Sequence, residues 1–298
     1  VTADLTGPAG SFAYDGRVDG YPKTYAARGT LTFTNLDARR LLENDTIPET
    51  SPTGRMELDV SGDSASLAST LASLAGVVSV NLDRSFVDSV RVFQALGRVG
   101  FVDGRARIDT LYVDAVAGRV AARGGIGLVG GRSDSLRFSV AVDSLGGLRR
   151  YLGASDSIDV LEENGAAAPA DSIDGRVDVN GWIRGWRDSL DVNGRIEARN
   201  IWVRGDRAKV VAGQFRFADV TDSISGSFVV RVDTAVVAGV AVDSATVGLT
   251  ATDRTRGSFD VHVASANGPQ LFVHGAGLIA GDTTIVSLDS LNLGVRDH

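Results

Sequence analysis

The chain has 298 residues, no cysteine and 43% hydrophobic residues, and its 30 basic against 37 acidic side chains leave a net charge of −7. These totals exclude a disordered chain, a disulfide scaffold or Cys-based metal site, and a general nucleic-acid binder. Only His262, His274 and His298 carry imidazoles, and they have no ligand spacing, so neither a zinc site nor His-dependent catalysis is expected. Nearly all the bases are arginine (only Lys23 and Lys209 are lysine) and nearly all the acids aspartate. Lys and Glu favour helix surfaces, whereas Asp and Gly do not. A Val-rich chain with 36 glycines therefore predicts many short strands joined by tight turns.

In chain order, period-2 alternation predicts a strand at 30–33, a short helix at 37–43 around Ala38-Arg39-Arg40-Leu41-Leu42, and a strand at 56–60. A second helix is expected at 63–76, with Leu67, Leu71 and Leu74 at helical spacing and a terminal glycine. Strands follow at 105–109 and 118–122. The next strand places Leu136, Phe138, Val140 and Val142 on one face. A third helix is expected at 144–153, then a strand at 176–179. The run 190–199 turns Val192 and Ile196 away from its charges. Further on, Phe228, Val230 and Val232 oppose Arg231 and Asp233. The strand at 246–249 carries Val247 and Leu249, and Phe259, Val261 and Val263 oppose Asp260 and His262. The last strand is expected at 287–295. One apolar and one charged face per strand marks an antiparallel sheet with one wet side.

Turns recur every 8–12 residues or so. A tripeptide of Asp, Ser or Thr, and an aliphatic residue reads as turn exit followed by strand entry, because Asp and Ser bond nearby backbone. It occurs at Asp109-Thr110-Leu111, Asp134-Ser135-Leu136, Asp143-Ser144-Leu145, Asp171-Ser172-Ile173, Asp188-Ser189-Leu190, Asp222-Ser223-Ile224 and Asp289-Ser290-Leu291. A catalytic or calcium site is not repeated at nearly every turn, so these pairs are read as turn chemistry. Gly-Arg pairs at Gly16, Gly54, Gly104, Gly175 and Gly194 are given the same part. The run Gly125-Ile126-Gly127-Leu128-Val129-Gly130 matches a dinucleotide loop in letters, but a strand rather than a helix is expected after it. Trp182, Trp186 and Trp202 are expected to cover sheet edges, and Arg39, Arg40, Arg149 and Arg150 to lie on solvated helix faces.

A longer repeat underlies these pieces. A strand ending at Leu36-Asp37 leads through Arg39-Arg40-Leu41-Leu42 and a Pro-containing loop to Gly54-Arg55-Met56-Glu57-Leu58. A second copy leads from Val142-Asp143 through Arg149-Arg150-Tyr151-Leu152 and Pro169 to Gly175-Arg176-Val177-Asp178-Val179. Such repetition predicts an elongated protein. The Gly-, Ala- and Pro-rich stretch 162–170 divides it into units 1–165 and 166–298. The longest uncharged run, 64–82, is too polar to span a membrane, and the missing start methionine favours a segment of a longer protein.

The chain resembles the TamB/AsmA group of bacterial envelope proteins. The resemblance rests on the strand–helix–loop–strand unit of 143–181 and on the runs Asp103-Gly104-Arg105-Ala106-Arg107-Ile108-Asp109-Thr110-Leu111 and Gly118-Arg119-Val120-Ala121-Ala122-Arg123-Gly124-Gly125-Ile126-Gly127-Leu128. It implies an all-β fold with a few short helices: a long, curved, half-open antiparallel sheet, or β-taco, with an apolar groove, related to bridge-like lipid-transfer proteins. It also implies a place in the periplasm of a diderm bacterium, with the membrane anchor absent from this chain. The implied function is to shield phospholipid acyl chains between inner and outer membranes. An Omp85-type outer-membrane barrel would be met by parts outside this chain. By the residues alone, the apolar faces suit either a closed β-sandwich or β-solenoid, as in a cell-surface structural or adhesive protein, or an open groove; the resemblance favours the groove. Small residues such as Ala106, Gly118, Ala122, Ala198 and Ala245, with 6% aromatics, leave volume for lipid. The expected groove lining is Leu136, Phe138, Val140, Val142, Val192, Ile196, Phe228, Val230, Val232, Val247, Leu249, Phe259, Val261 and Val263. No catalytic residue, metal, nucleic acid or cofactor is expected, bound phospholipid aside.

Overall fold

The computed structural model describes residues 2–20, 23–41, 43–44, 49–63, 66–87, 90–146, 173–203, 205–237, 239–265, 268–280 and 283–295. Among the described residues the fold is all-β, as the alternation predicts: eighteen strands, paired antiparallel apart from one parallel bridge between Gly127 and Trp186, with two short helices. Among the described residues, no helix is long and apolar enough to cross a membrane. The chain divides into two compact units, residues 1–140 with 182–190, and residues 141–181 with 191–298. The expected boundary at 165/166, the stretch 162–170 and Arg149 and Arg150 lie outside the described residues, as does the helix expected at 144–153 from residue 147 on.

In the first unit, β1 (Thr2–Gly7), β2 (Gly10–Asp19), β3 (Thr24–Thr34), β4 (Gly54–Asp63) and β5 (Ala75–Leu82) pair in that order. β5 then pairs with β7 (Val90–Val102), which also holds the short β6 (Ser85–Val87). The order continues through β8 (Arg105–Ala115), β9 (Gly118–Gly127) and β10 (Asp134–Val142). Tight turns close these hairpins. Asp103 and Gly104 both have positive φ between the paired Val102 and Arg105, the type I′ geometry that matches strand twist.

The helices are shorter than their patterns suggest. α1 (Ala38–Leu41) starts where the buried Asp37 carboxylate accepts the Arg39 and Arg40 amides and pairs with the Arg40 guanidinium at 3.1 Å. α2 (Leu67–Ser73) begins at Ser66, whose hydroxyl accepts the Ser69 amide while the Ser69 hydroxyl accepts the Ser66 amide. This capping box fixes its start. The strand β4 claims the chain up to Asp63, and β5 takes over at Ala75, so 63–76 shrinks to two turns.

In the second unit, β12 (Ser189–Val203), β13 (Asp206–Ala218), β14 (Ser225–Val237), β15 (Val240–Ala251), β16 (Arg256–Ala264), β17 (Pro269–Ala280) and β18 (Thr283–Val295) form a meander. β11 (Ile173–Trp186) precedes β12.

Two assignments of turn chemistry need correction. Asp109-Thr110-Leu111 and Asp289-Ser290-Leu291 lie inside β8 and β18, not at turn exits. Asp109 is one residue more than β7 can match between Val99 and Arg98, and Asp289 is one more than β17 can match between His274 and Gly275. Both are β-bulges, which explains why apolar residues jump phase there, from Ile108 to Leu111 and from Leu288 to Leu291. Three Gly-Arg pairs also sit within strands: Gly16 in β2, Gly175 in β11 and Gly194 in β12. There the glycine makes room for a neighbouring strand or ring rather than a turn. At Gly194, a Cβ would meet the Phe215 ring.

Candidate functional site

Registers, rather than any cleft, assemble the candidate site. In the second unit, directly opposed residues form unbroken rows across seven strands. One row is Gly194, Phe215, Phe228, Leu249, Phe259, Gly275 and Leu288. The next is Ile196, Gly213, Val230, Val247, Val261, Val273 and Leu291. A third is Ala198, Val211, Val232, Ala245, Val263, Leu271 and Leu293. A fourth starts at Val192 and passes through Phe217 and the small residues Gly226, Ala251, Gly257 and Gly277 to Val286. Opposed residues share a face and alternate ones along a strand return to it. The four rows therefore make one apolar surface, free of charge.

This surface gathers ten of the expected lining residues: Val192, Ile196, Phe228, Val230, Val232, Val247, Leu249, Phe259, Val261 and Val263. Val142 lies at the end of β10 in the same unit. Leu136, Phe138 and Val140 belong to the first unit, on one side of β10, with Leu136 buried. On the other side of β10, Arg137 stacks 4.2 Å from the Trp182 ring, and in the second unit Arg207 covers Trp202 at 4.1 Å.

The first unit has an apolar face of its own, which the sequence reading left unassigned. One row is Leu5, Phe12, Phe33, Gly54, Leu82, Ala95, Val113 and Val120. Beside it run Ala3, Tyr14, Leu31, Met56, Val80, Gly97, Leu111 and Ala122. Glycines inside β4 and β7 hide the alternation, and the Asp109 bulge reverses its phase within β8. The signal that finds these rows is the jump Ala106, Ile108, Leu111, Val113.

The opposite faces are polar. In the first unit, Arg28 pairs with Asp59 at 2.6 Å across β3 and β4, and Arg55 with Glu57 at 2.9 Å. The hydrogen bond to Asp59, helped by its charge, raises the Arg28 pKa above its ordinary value. Arg98 and Arg107 both reach Asp109. A depression of about 680 Å³ on this face is lined by Arg28, Thr30, Glu57, Asp59, Ser79 and Arg98, and its four ions Arg28, Glu57, Asp59 and Arg98 are each engaged by a neighbour. In the second unit, Arg231 pairs with Asp233, and His274 Nδ1 lies 2.7 Å from Asp260. His262 stacks on Phe272 at 4.0 Å between ring centroids. By register both histidines stand on the face opposite the apolar rows, and His298 lies outside the described residues. Among the described residues, no group of His, Asp and Glu converges to hold a metal. After Gly125 to Gly130 comes the strand β10, not a helix.

The apolar faces are only partly covered. Among the described residues, the buried hydrophobics are Phe33, Val92, Ala95, Leu136, Ala198 and Ala235. The other residues of the four rows are half-buried or exposed, apart from the backbone of Gly213 and Gly275. Not every small residue leaves open space, however. Rings of Phe215 and Phe259 lie over Gly194 and Gly275, at 2.5 and 2.6 Å from where a Cβ would stand. Of the glycines in the four rows, Gly277 alone has open space where a Cβ would stand. The arrangement sorts by polarity: one face carries no charge in its rows, and the other sets opposite charges in pairs. No protein-family model, curated protein or solved structure matches the chain.

Proposed function

We propose that the chain is a segment of a lipid-transport bridge of the bacterial envelope, holding phospholipid acyl chains along its apolar sheet faces while head groups stay in water. The observation that carries this reading is the set of four charge-free rows in the second unit, contiguous across seven strands and without a covering layer of protein side chains among the described residues. A β-sandwich protein would bury both inner faces; here the rows stay half-exposed. Seven strands at about 4.8 Å give a strip of roughly 30 Å. Each CH₂ moved from water onto it contributes about 0.8 kcal/mol, so long acyl chains are held without a specific pocket. The resemblance to TamB/AsmA proteins points to the same role and to the periplasm. It also suggests that an Omp85-type barrel is met through parts outside this chain.

The test is lipid extraction and mass spectrometry of the purified chain. Phospholipid at a stoichiometry of at least about one per chain is expected. A chain that emerges lipid-free, and does not take up labelled phospholipid from vesicles, overturns the reading.

A further inference from the structure

We infer that phospholipid on the second unit's apolar face is held one way round, with its phosphate on Lys209 and Arg207, beside the hairpin of β12 and β13. The inference rests on the lipid reading above and adds to it the seat of the head group. β13 holds no residue of positive φ, so Arg207, Lys209, Val211, Gly213, Phe215 and Phe217 share one face by alternation. Both cations therefore stand on the side of the apolar rows, just past the row of Ala198, Val211, Val232 and Ala245. Among the described residues of β12 to β18, the one other charge at a position of this face is Asp243, which the register sets beyond Thr234, two strands or about 10 Å from Lys209.

The ladder itself marks this place. The pairings of β13 with β12 and with β14 both pass over Lys209, whose neighbours in register, Asn200 and Thr234, have φ of 53° and 57°. A β-branched residue enters the left-handed region only where its surroundings impose it. Beyond this row the apolar positions change parity, to Ile201, Ala208, Ala235 and Val242, so the charge-free rows end here. Next along the face, the Trp202 indole lies under the Arg207 guanidinium at 4.1 Å and is 37% exposed. Apolar rows, then a lysine, then a Trp–Arg pair is the order of chemistry met on passing from acyl carbons to a phosphate. Stacking occupies the flat face of the guanidinium and leaves its in-plane N–H groups for phosphate oxygens. Lys209 is exposed and has no ion-pair partner among the described residues. At the other end of the rows the turns carry Asp219, Asp222 and Asp253, and Arg254 there donates to the Thr221 carbonyl. Phosphate is repelled from that end and drawn to this one.

The test is a choice between two lipids. The purified chain is incubated with phosphatidylcholine vesicles that carry, as labelled tracer, either phosphatidylcholine or diacylglycerol with the same acyl chains. Taking the ratio of the two uptakes cancels a general loss of fold. That ratio should fall about tenfold or more when Arg207→Gln and Lys209→Gln are combined. Arg216→Gln removes a charge from the same strand on the opposite face, between Asn193 and Ser227, and should leave the ratio unchanged. A ratio that the double variant retains overturns the inference while the lipid reading stands, and so does an equal fall with Arg216→Gln. A chain that takes up neither tracer overturns both. Inorganic phosphate that shifts the Lys209 and Arg207 amide resonances as far as phospholipid does marks a site for free phosphate, and overturns the inference alone.

Discussion

Phe215 of β13 stands directly across from Gly194 of β12, with its Cζ 2.5 Å from the point that a Cβ on residue 194 would occupy. The Asn180 carbonyl closes in equally from the side of β11. The glycine is the space for the ring. Gly194→Ala should therefore cost about 1–3 kcal/mol, the usual penalty of forcing a ring off its rotamer. It is measurable as a lower denaturant midpoint at unchanged slope. Phe215→Leu in the same chain should recover part of the loss. If the double variant is simply the sum of the two singles, the ring is not what the glycine serves.

This pair shows why the sequence was legible in some places and not in others. Alternation needs only period 2, so Phe228, Val230, Val232 and Phe259, Val261, Val263 could be placed on one face before any register was known. Gly194 could not be assigned, because its reason is a residue on another strand, twenty-one positions away. Gly16 and Gly175 misled for the same cause. The two bulges are a different case. Asp109 and Asp289 leave a visible mark, an apolar spacing of three instead of two, but the tripeptide around each is also what a turn exit looks like. The choice between bulge and turn depends on whether both flanking runs pair with the same neighbour, which is a tertiary fact. Helix length failed at 63–76 because β4 and β5 pair tightly on both sides of α2 and draw its ends into the sheet.

Ser85 is the most buried polar residue described, 1% exposed. Its hydroxyl accepts the Thr53 amide at 3.1 Å and donates to the Asp83 carbonyl at 2.9 Å, tying the chain before β4 to the hairpin of β6. Ser85→Ala leaves a buried amide without a partner. A loss of about 1–3 kcal/mol is expected, with faster hydrogen exchange at the Thr53 amide. Equal stability together with unchanged protection at Thr53 would show that the amide finds another acceptor.

At the turn between β15 and β16, the Asp253 carboxylate accepts the Thr255 hydroxyl at 2.7 Å, the Thr255 amide at 2.8 Å and the Arg256 amide at 2.9 Å. These bonds, the hydroxyl's first, hold its pKa below the ordinary 3.8. In the unfolded chain the group titrates at its ordinary value, so the folded state binds this proton less readily. The turn is therefore stabilised above the unfolded pKa, and that contribution is lost as the pH falls through the lower folded one. A carbon-detected NMR titration should find the Asp253 midpoint below 3.8, and Thr255→Val should move it back up. A midpoint that ignores Thr255→Val would assign the shift to the backbone amides alone.

Val229 and Val230 are neighbours in β14 on opposite faces. Val230 lies in a charge-free row between Gly213 and Val247, whereas Val229 lies between Gln214 and Gly248 on the polar side. The pair separates loss of a lipid surface from loss of fold. An unpaired carboxylate set among acyl chains carries a desolvation cost of several kcal/mol, so Val230→Asp should lower bound phospholipid about tenfold or more. Val229→Asp places the same charge at the same level of the same strand, facing water, and should leave lipid unchanged. Val261→Asp, two strands away in the same row as Val230, should repeat the loss. Circular dichroism and denaturant midpoints on all three variants make the comparison fair. Equal loss at 229 and 230 would trace lipid to the integrity of the sheet rather than to its face. Retention of lipid by Val230→Asp and Val261→Asp would remove this surface as the acyl-chain path.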